Sequence, residues 1–409
     1  MTDVDAAEAV AQARLRALYG SLGPRRVYLP RLSAALPSVS TAPPTITYSA
    51  GGAASAIAGA TEHFLRSPVG LGAGVTIATA SPTSTFDASG VVNGSVLLTG
   101  VASFSHNADG YVQSTPIGPE LPVWSMSVIT DDPVIEVVYL GSLNPAYRLL
   151  VDDQAVTQNG TTASGGSGFA QRMKIAFPSR KFRRITLESS SMFIRSVTTG
   201  PLATLYAASR KPYTFGFLGD SYMANGGVDG IAPTAARLLG VEWAVNGSGG
   251  TGYNNGQGGT DGKQIFAGAA RMPALLASSP LDALVIAGGI NDGTTALAAD
   301  VTSLLATAKR TLPPDRIFVL GPWDPPSQTH TTSQAKRDTI RTATLAAGCQ
   351  FIDNVAGAWI VGTGTTAAPA GAGNADLYIA SDGTHPIAPD GYIYHGVRLA
   401  AALAERLAA

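Results

Sequence analysis

The sequence predicts an α/β domain built on a parallel sheet, preceded by an antiparallel β-sandwich. Three observations carry this expectation. Short β-branched and aromatic runs fill residues 68–205, strand and helix patterns alternate after about residue 212, and residues 29–60 are rich in Pro, Ser, Ala and Gly. With 45% hydrophobic residues in 409, the chain can bury more than one core.

The elements follow in chain order. Alanines and leucines over residues 5–19, interrupted by Glu8, Arg14 and Arg16, predict a short helix that either packs on its own protein or serves as an assembly helix. The stretch "LPSVSTAPPTITYSAGGAASAIAGA" reads as a loose lead-in, so residues 1–60 are expected to be helix plus linker. Over 61–208, runs such as "GVTIATA", "GSVLLTGVASFSH", "WSMSVIT", "VIEVVYLG" and "RRITLESS" are separated by turn residues without helical period, which predicts the sandwich. "VDDQAV" between two such runs predicts a hairpin turn. Tyr111, Trp124, Tyr139 and Tyr147 read first as core and second as platforms for sugar faces.

Over 209–409, "YTFGFLG", "LDALVIAGG", "RIFVLGPW" and "QFIDN" predict strands. "APTAARLLG", "LAADVTSLLATAKRTL", "SQAKRDTIRTATLAAG" and the closing "APDGYIYHGVRLAAALAERLAA" predict the helices between and after them. Such alternation builds a parallel sheet covered by helices, whose sites lie at the carboxyl ends of the strands.

Composition removes several function classes. A net charge of −1 with 13% charged residues offers no basic stripe for phosphates, so nucleic acid is not an expected partner. The single cysteine, Cys349, excludes an intrachain disulfide or a thiolate metal cluster and reads as a small core residue. No His-Glu-x-x-His or equivalent occurs, and neither metal nor cofactor is expected. The N-terminal "MTDVDAAEAVAQARLRALYG" has acids where a signal peptide is basic, and no apolar run is long enough to span a bilayer. The expectation is a chain that is cytoplasmic, virion-associated or exported by a route other than Sec.

The polar residues that stand out fall at predicted strand ends. Ser221 follows the first strand, "NGSGGTGY" (246–253) follows what should be a second strand between "YTFGFLG" and "LDALVIAGG", Asn291 and Asp292 follow the third, and "SDGTHP" with Asp382 and His385 precedes the closing helix. Taken singly, these read as a helix N-cap, a flexible turn, a turn residue and a capped loop. Together and in order they supply a hydroxyl nucleophile, a base and a carboxylate to orient it. Tetrahedral intermediates also need oxyanion donors, for which Ser221 N–H, a glycine N–H of "GSGGTG" and the Asn291 amide are suited. An α/β-hydrolase elbow of the Gly-x-Ser-x-Gly type is excluded, because Met223 stands two residues after Ser221.

The four blocks, "GDS" (219–221), "NGSGGTGY" (246–253), "GIND" (289–292) and "DGTH" (382–385), resemble those of the SGNH (GDSL-type) hydrolases. The resemblance covers residues 212–409 and implies a flavodoxin-like catalytic domain, with Ser221 as nucleophile, His385 as base and Asp382 as its orienter. It also implies an oxyanion hole of Ser221 N–H, Gly250 and Asn291, with Gly249 and Gly252 as alternatives to Gly250. Tyr222 stands where the family usually has leucine.

A jelly-roll-like sandwich ahead of such a domain resembles the arrangement in several carbohydrate esterases. The Gly-rich stretches 252–264 and 362–381 are expected to frame the pocket, and neither reads as an apolar lid. The expected function is therefore a serine esterase removing small acyl groups, acetyl foremost, from a polysaccharide or cell-envelope glycan. The region before the triad acid also resembles bacterial and bacteriophage SGNH domains, which suggests a virion-borne enzyme that oligomerises or assembles through its N-terminal region. The competing expectations are a lipase or thioesterase on small acyl esters, and a non-catalytic glycan-binding or structural protein.

Overall fold

The computed structural model describes residues 43–50, 53–65, 91–92, 96–101, 104–106, 110–114, 122–141, 145–157, 159–164, 168–256, 264–278 and 280–407. The helix expected at 5–19, the "GVTIATA" run and part of the 252–264 stretch lie outside the described residues. The chain divides into two compact units, one of Ala35–Thr115 with Val123–Arg210 and one whose body is Lys211–Ala409.

In the first unit, one antiparallel sheet contains Thr45–Ala50, Ala170–Ala176, Val134–Gly141 and Met192–Thr199 in that spatial order. A second contains Ala146–Val151, Arg183–Ser189, Trp124–Thr130 and Val96–Val101. Alternate residues of a strand face one side, and the inward sets Ile135, Val137, Tyr139 and Trp124, Met126, Val128 join one buried cluster. The unit is thus an antiparallel sandwich.

Tyr111, Trp124, Tyr139 and Tyr147 are all buried, so their core reading holds. Tyr147 even spends its hydroxyl on that of Tyr48, 2.9 Å away. The "VDDQAV" hairpin turns through Asp152 and Asp153, both in the left-handed region at φ 52° and 64°, as a two-residue primed turn requires.

One expectation is corrected. Residues 45–50, read as linker, form a strand paired in continuous register with residues 171–176, and Ile46 and Tyr48 pack against the core. The flanking Pro, Ala and Gly residues masked the short alternation of "TITYSA".

In the second unit the strands lie in the order Glu242–Gly247, Thr214–Gly219, Ala283–Ala287, Ile317–Leu320, Gln350–Ile352, and every pair is parallel. In chain order this is 2-1-3-4-5, the flavodoxin-like arrangement. The central strands are wholly buried, which explains their unbroken apolar runs "ALVIA" and "IFVL". Helix Ile231–Leu239 packs with Asp390–Leu407, and Leu297–Ala308 with His330–Ala346. Leu284, Ile286 and Val319 share a buried cluster with Val301, Leu304 and Ile340, each such side chain stabilising by about 1.5–3 kcal/mol. Cys349 belongs to this cluster.

The sequence reading does not anticipate the short helices Met272–Ser278 and Ala375–Tyr378, the latter inside the Gly-rich stretch 362–381. Among the described residues no helix is long and apolar enough to cross a membrane.

Candidate active site

Strand register brings the site together. Gly219 lies opposite both Gly247 and Ala287, so three adjacent strands end level. The segments that follow them, which carry Ser221, Gly250 and Asn291, leave the same edge at the point where strand order reverses.

Beyond Gly219 the chain turns sharply. Asp220 takes extended backbone angles and its carboxylate accepts the N–H of Tyr222 at 3.0 Å, capping the one-turn helix Ser221–Ala224. That helix sits so close to the next strand that a Cβ on Gly247 would fall 2.4 Å from the backbone nitrogen of Ala224. Any side chain there would unseat the turn that presents Ser221.

The structure brings Ser221, His385 and Asp382 into one hydrogen-bonded line. Ser221 Oγ is 2.9 Å from His385 Nε2, and His385 Nδ1 is 2.6 Å from Asp382 Oδ2. A carboxylate at Nδ1 selects the tautomer with its proton there and leaves the Nε2 lone pair facing the serine hydroxyl. Asp382 Oδ1 also accepts the N–H groups of Thr384 and His385, each at 2.9 Å. Burial raises the Asp382 pKa, but these bonds from the His385 ring and the two backbone groups outweigh it and hold the carboxyl below its ordinary value. It is therefore ionised at neutral pH.

Asn291 and Gly250 are also neighbours. The Asn291 Nδ2 donates to the carbonyl of Thr251 at 3.0 Å, and Gly250, just before it, adopts φ +72°. The Gly252 N–H is engaged within its own loop, donating to the Asn255 carbonyl at 2.7 Å. A Cβ there would also lie 2.3 Å from the carboxylate oxygens of Asp292. Asp292 in turn accepts the N–H of Asn254 at 2.8 Å and of Asn255 at 3.2 Å, latching the two loops together.

Beneath this edge lie two carboxyls in low dielectric. Burial pushes Asp220 up to about 7; the Tyr222 N–H opposes this, Asp292 adds to it, and Trp323 and Arg271 oppose it. Asp292 is likewise raised, first by burial, against the N–H groups of Asn254, Tyr253 and Asn255 and the charge of Lys336. Buried Arg271 donates to the Gly219 carbonyl at 2.6 Å and to Thr251 Oγ1 at 3.2 Å, tying the first strand end to the second loop. Sequence reasoning missed Arg271 because "ARMPALL" carries no signal beyond an ordinary helix start. It also missed Trp323 and Ser327, whose Pro-rich loop "GPWDPPSQTH" matches no block, although that loop too follows a strand of the sheet.

Residues 217–391 match the GDSL-like Lipase/Acylhydrolase family. A family two carbohydrate esterase from Clostridium thermocellum, solved as an active-site mutant, is 13% identical with a TM-score of 0.55, covering 76% of this chain and 97% of that one. Its counterpart from Cellvibrio japonicus is 12% identical with a TM-score of 0.54, covering 77% and 96%. A salicylyl acyltransferase from a tetracycline biosynthetic pathway is 13% identical with a TM-score of 0.54, covering 74% and 92%. At such identities these likenesses establish the fold. No curated protein matches the chain.

Proposed function

Proceeding from a GDSL-like lipase/acylhydrolase domain at residues 217–391, we propose that the protein is a serine esterase that removes small acyl groups, acetyl foremost, from a glycan. The observation that carries this reading is the line from Ser221 Oγ through the His385 ring to Asp382, with spacings of 2.9 and 2.6 Å.

In this reading Ser221 Oγ attacks the ester carbonyl carbon and its proton passes to His385 Nε2, while Asp382 supports the imidazolium that results. The carbonyl oxygen becomes an anion held by Ser221 N–H, Gly250 N–H and the Asn291 amide. When the intermediate collapses, the C–O bond to the alcohol breaks and that alcohol takes the proton from His385. Water then attacks the acyl-serine by the same route, releasing the acid and restoring Ser221.

The glycan assignment is supported by the shared fold with two carbohydrate esterases and by the polar character of the neighbouring loop, where Asn254 and Asn255 are partly exposed. A virion-borne setting belongs to the same proposal, with the N-terminal residues as the mount. Deleting residues 1–40 should then abolish assembly while esterase activity persists, and unchanged assembly removes that element.

The central test is p-nitrophenyl acetate hydrolysis by the wild type and Ser221→Ala, beside acetate release from acetylated polysaccharides. Turnover that disappears with the serine supports the esterase. A well-folded wild type inactive on every ester refutes it, and a preference for acyl chains of about eight carbons or more replaces the acetyl assignment with a lipase.

A further inference from the structure

The turn that carries His385 lies in solvent, with the Asp382 side chain 49% exposed and that of His385 33% exposed. Exposed turns fluctuate, yet His385 must stay within hydrogen-bond reach of a serine 164 residues away in sequence. Its hydrogen bond to Asp382 does not meet this need, since both residues belong to the same turn and move together.

The turn is gripped through Thr384, the residue before His385. The Thr384 carbonyl accepts the hydroxyl of Tyr222. On its other side, Thr384 Oγ1 donates to Ser327 Oγ at 2.8 Å, and the Ser327 N–H donates to the Gly383 carbonyl at 2.9 Å. Tyr222 itself has little freedom. It is 1% exposed, and its ring stacks on that of Trp323 with centroids 4.3 Å apart and planes 6° from parallel. The edge of His395 closes a further side at 5.7 Å. Tyr222 is also the covalent neighbour of Ser221.

We propose that Tyr222 is a positioning residue: its hydroxyl ties the backbone next to the nucleophile to the backbone next to the base, and so sets the Ser221–His385 separation. This rests on the serine-esterase reading of the site. A leucine at this position would fill the space but leave the Thr384 carbonyl without its partner. The phenol does both, joining two chain segments that no covalent path holds close.

Tyr222→Phe keeps the ring and its stack and removes one oxygen. The expected result is a kcat on p-nitrophenyl acetate about tenfold to a hundredfold below wild type, as sub-ångström misplacement of reacting groups produces. KM should stay within about twofold, because ground-state binding is untouched. Labelling of Ser221 by a fluorophosphonate should slow by the same factor as kcat. A residue that only stabilised the fold would lower the melting temperature and leave turnover per labelled site unchanged.

Tyr222→Leu is the second variant and should lose at least as much turnover. If either folded variant keeps a wild-type kcat while the wild type is active, the tether is wrong and the esterase reading stands. If the wild type hydrolyses no ester, that reading falls. Crystal structures of the wild type and Tyr222→Phe then decide the tether, and an unchanged Ser221–His385 distance overturns it.

Discussion

Asp220 offers a quantitative test of how the site is built. Its carboxyl is fully buried and pushed up to about 7 by that burial, while an unfolded chain releases the same proton near the ordinary carboxylate value of 3.8. Between those two values the native state binds more protons than the unfolded state, so this group makes stability fall as pH rises through the window. Each pKa unit is about 1.4 kcal/mol, and a displacement of about three units amounts to about 4 kcal/mol lost by the upper end of the window. Asp220→Asn keeps an oxygen to accept the Tyr222 N–H and removes the titration. Urea unfolding of both proteins from pH 4 to 8 measures the effect. The difference in unfolding free energy between variant and wild type should move in the variant's favour by several kcal/mol across that range and level off above it. Parallel curves for the two proteins would show that Asp220 ionises normally and would refute burial as the dominant influence on it.

Other perturbations have separate readouts. Asn291→Ala should lower kcat about a hundredfold to a thousandfold with little change in KM, since an oxyanion donor acts in the transition state; steady-state kinetics on p-nitrophenyl acetate check this. Asp382→Asn should cost up to about ten-thousandfold in kcat but less than Ser221→Ala, because water can reach the half-exposed position and orient the ring. Gly252→Ala places a methyl 2.3 Å from the Asp292 carboxylate; it should destabilise by about 1–3 kcal/mol in thermal melts and lower kcat together with stability.

Much of the site was legible in the residues themselves. Ser221, Asp382, His385, Asn291 and Gly250 sit in short blocks at strand ends, and strand ends can be read from hydrophobic period, so local text was enough to nominate them. The resemblance alone pointed to Gly250 over Gly249 and Gly252; local text did not show that the Gly252 N–H is engaged by the Asn255 carbonyl or that Asp292 presses against Gly252. Similarly, the strand Thr45–Ala50 was hidden, because six residues set in Pro and Gly declare themselves only through pairing with residues 171–176.

By itself the sequence determined the alternation of strand and helix, the residue types available for acyl chemistry and the order in which they occur. Those properties depend on side-chain polarity and on periods of two and 3.6 residues, which a linear text records. Only the tertiary structure decided that three strands end level, that Arg271 reaches the Gly219 carbonyl, and that the Tyr222 hydroxyl meets Thr384 162 residues later. Such contacts arise from sheet order and close packing, where partners are set by what the folded chain brings within about 3 Å, and no local period encodes that distance.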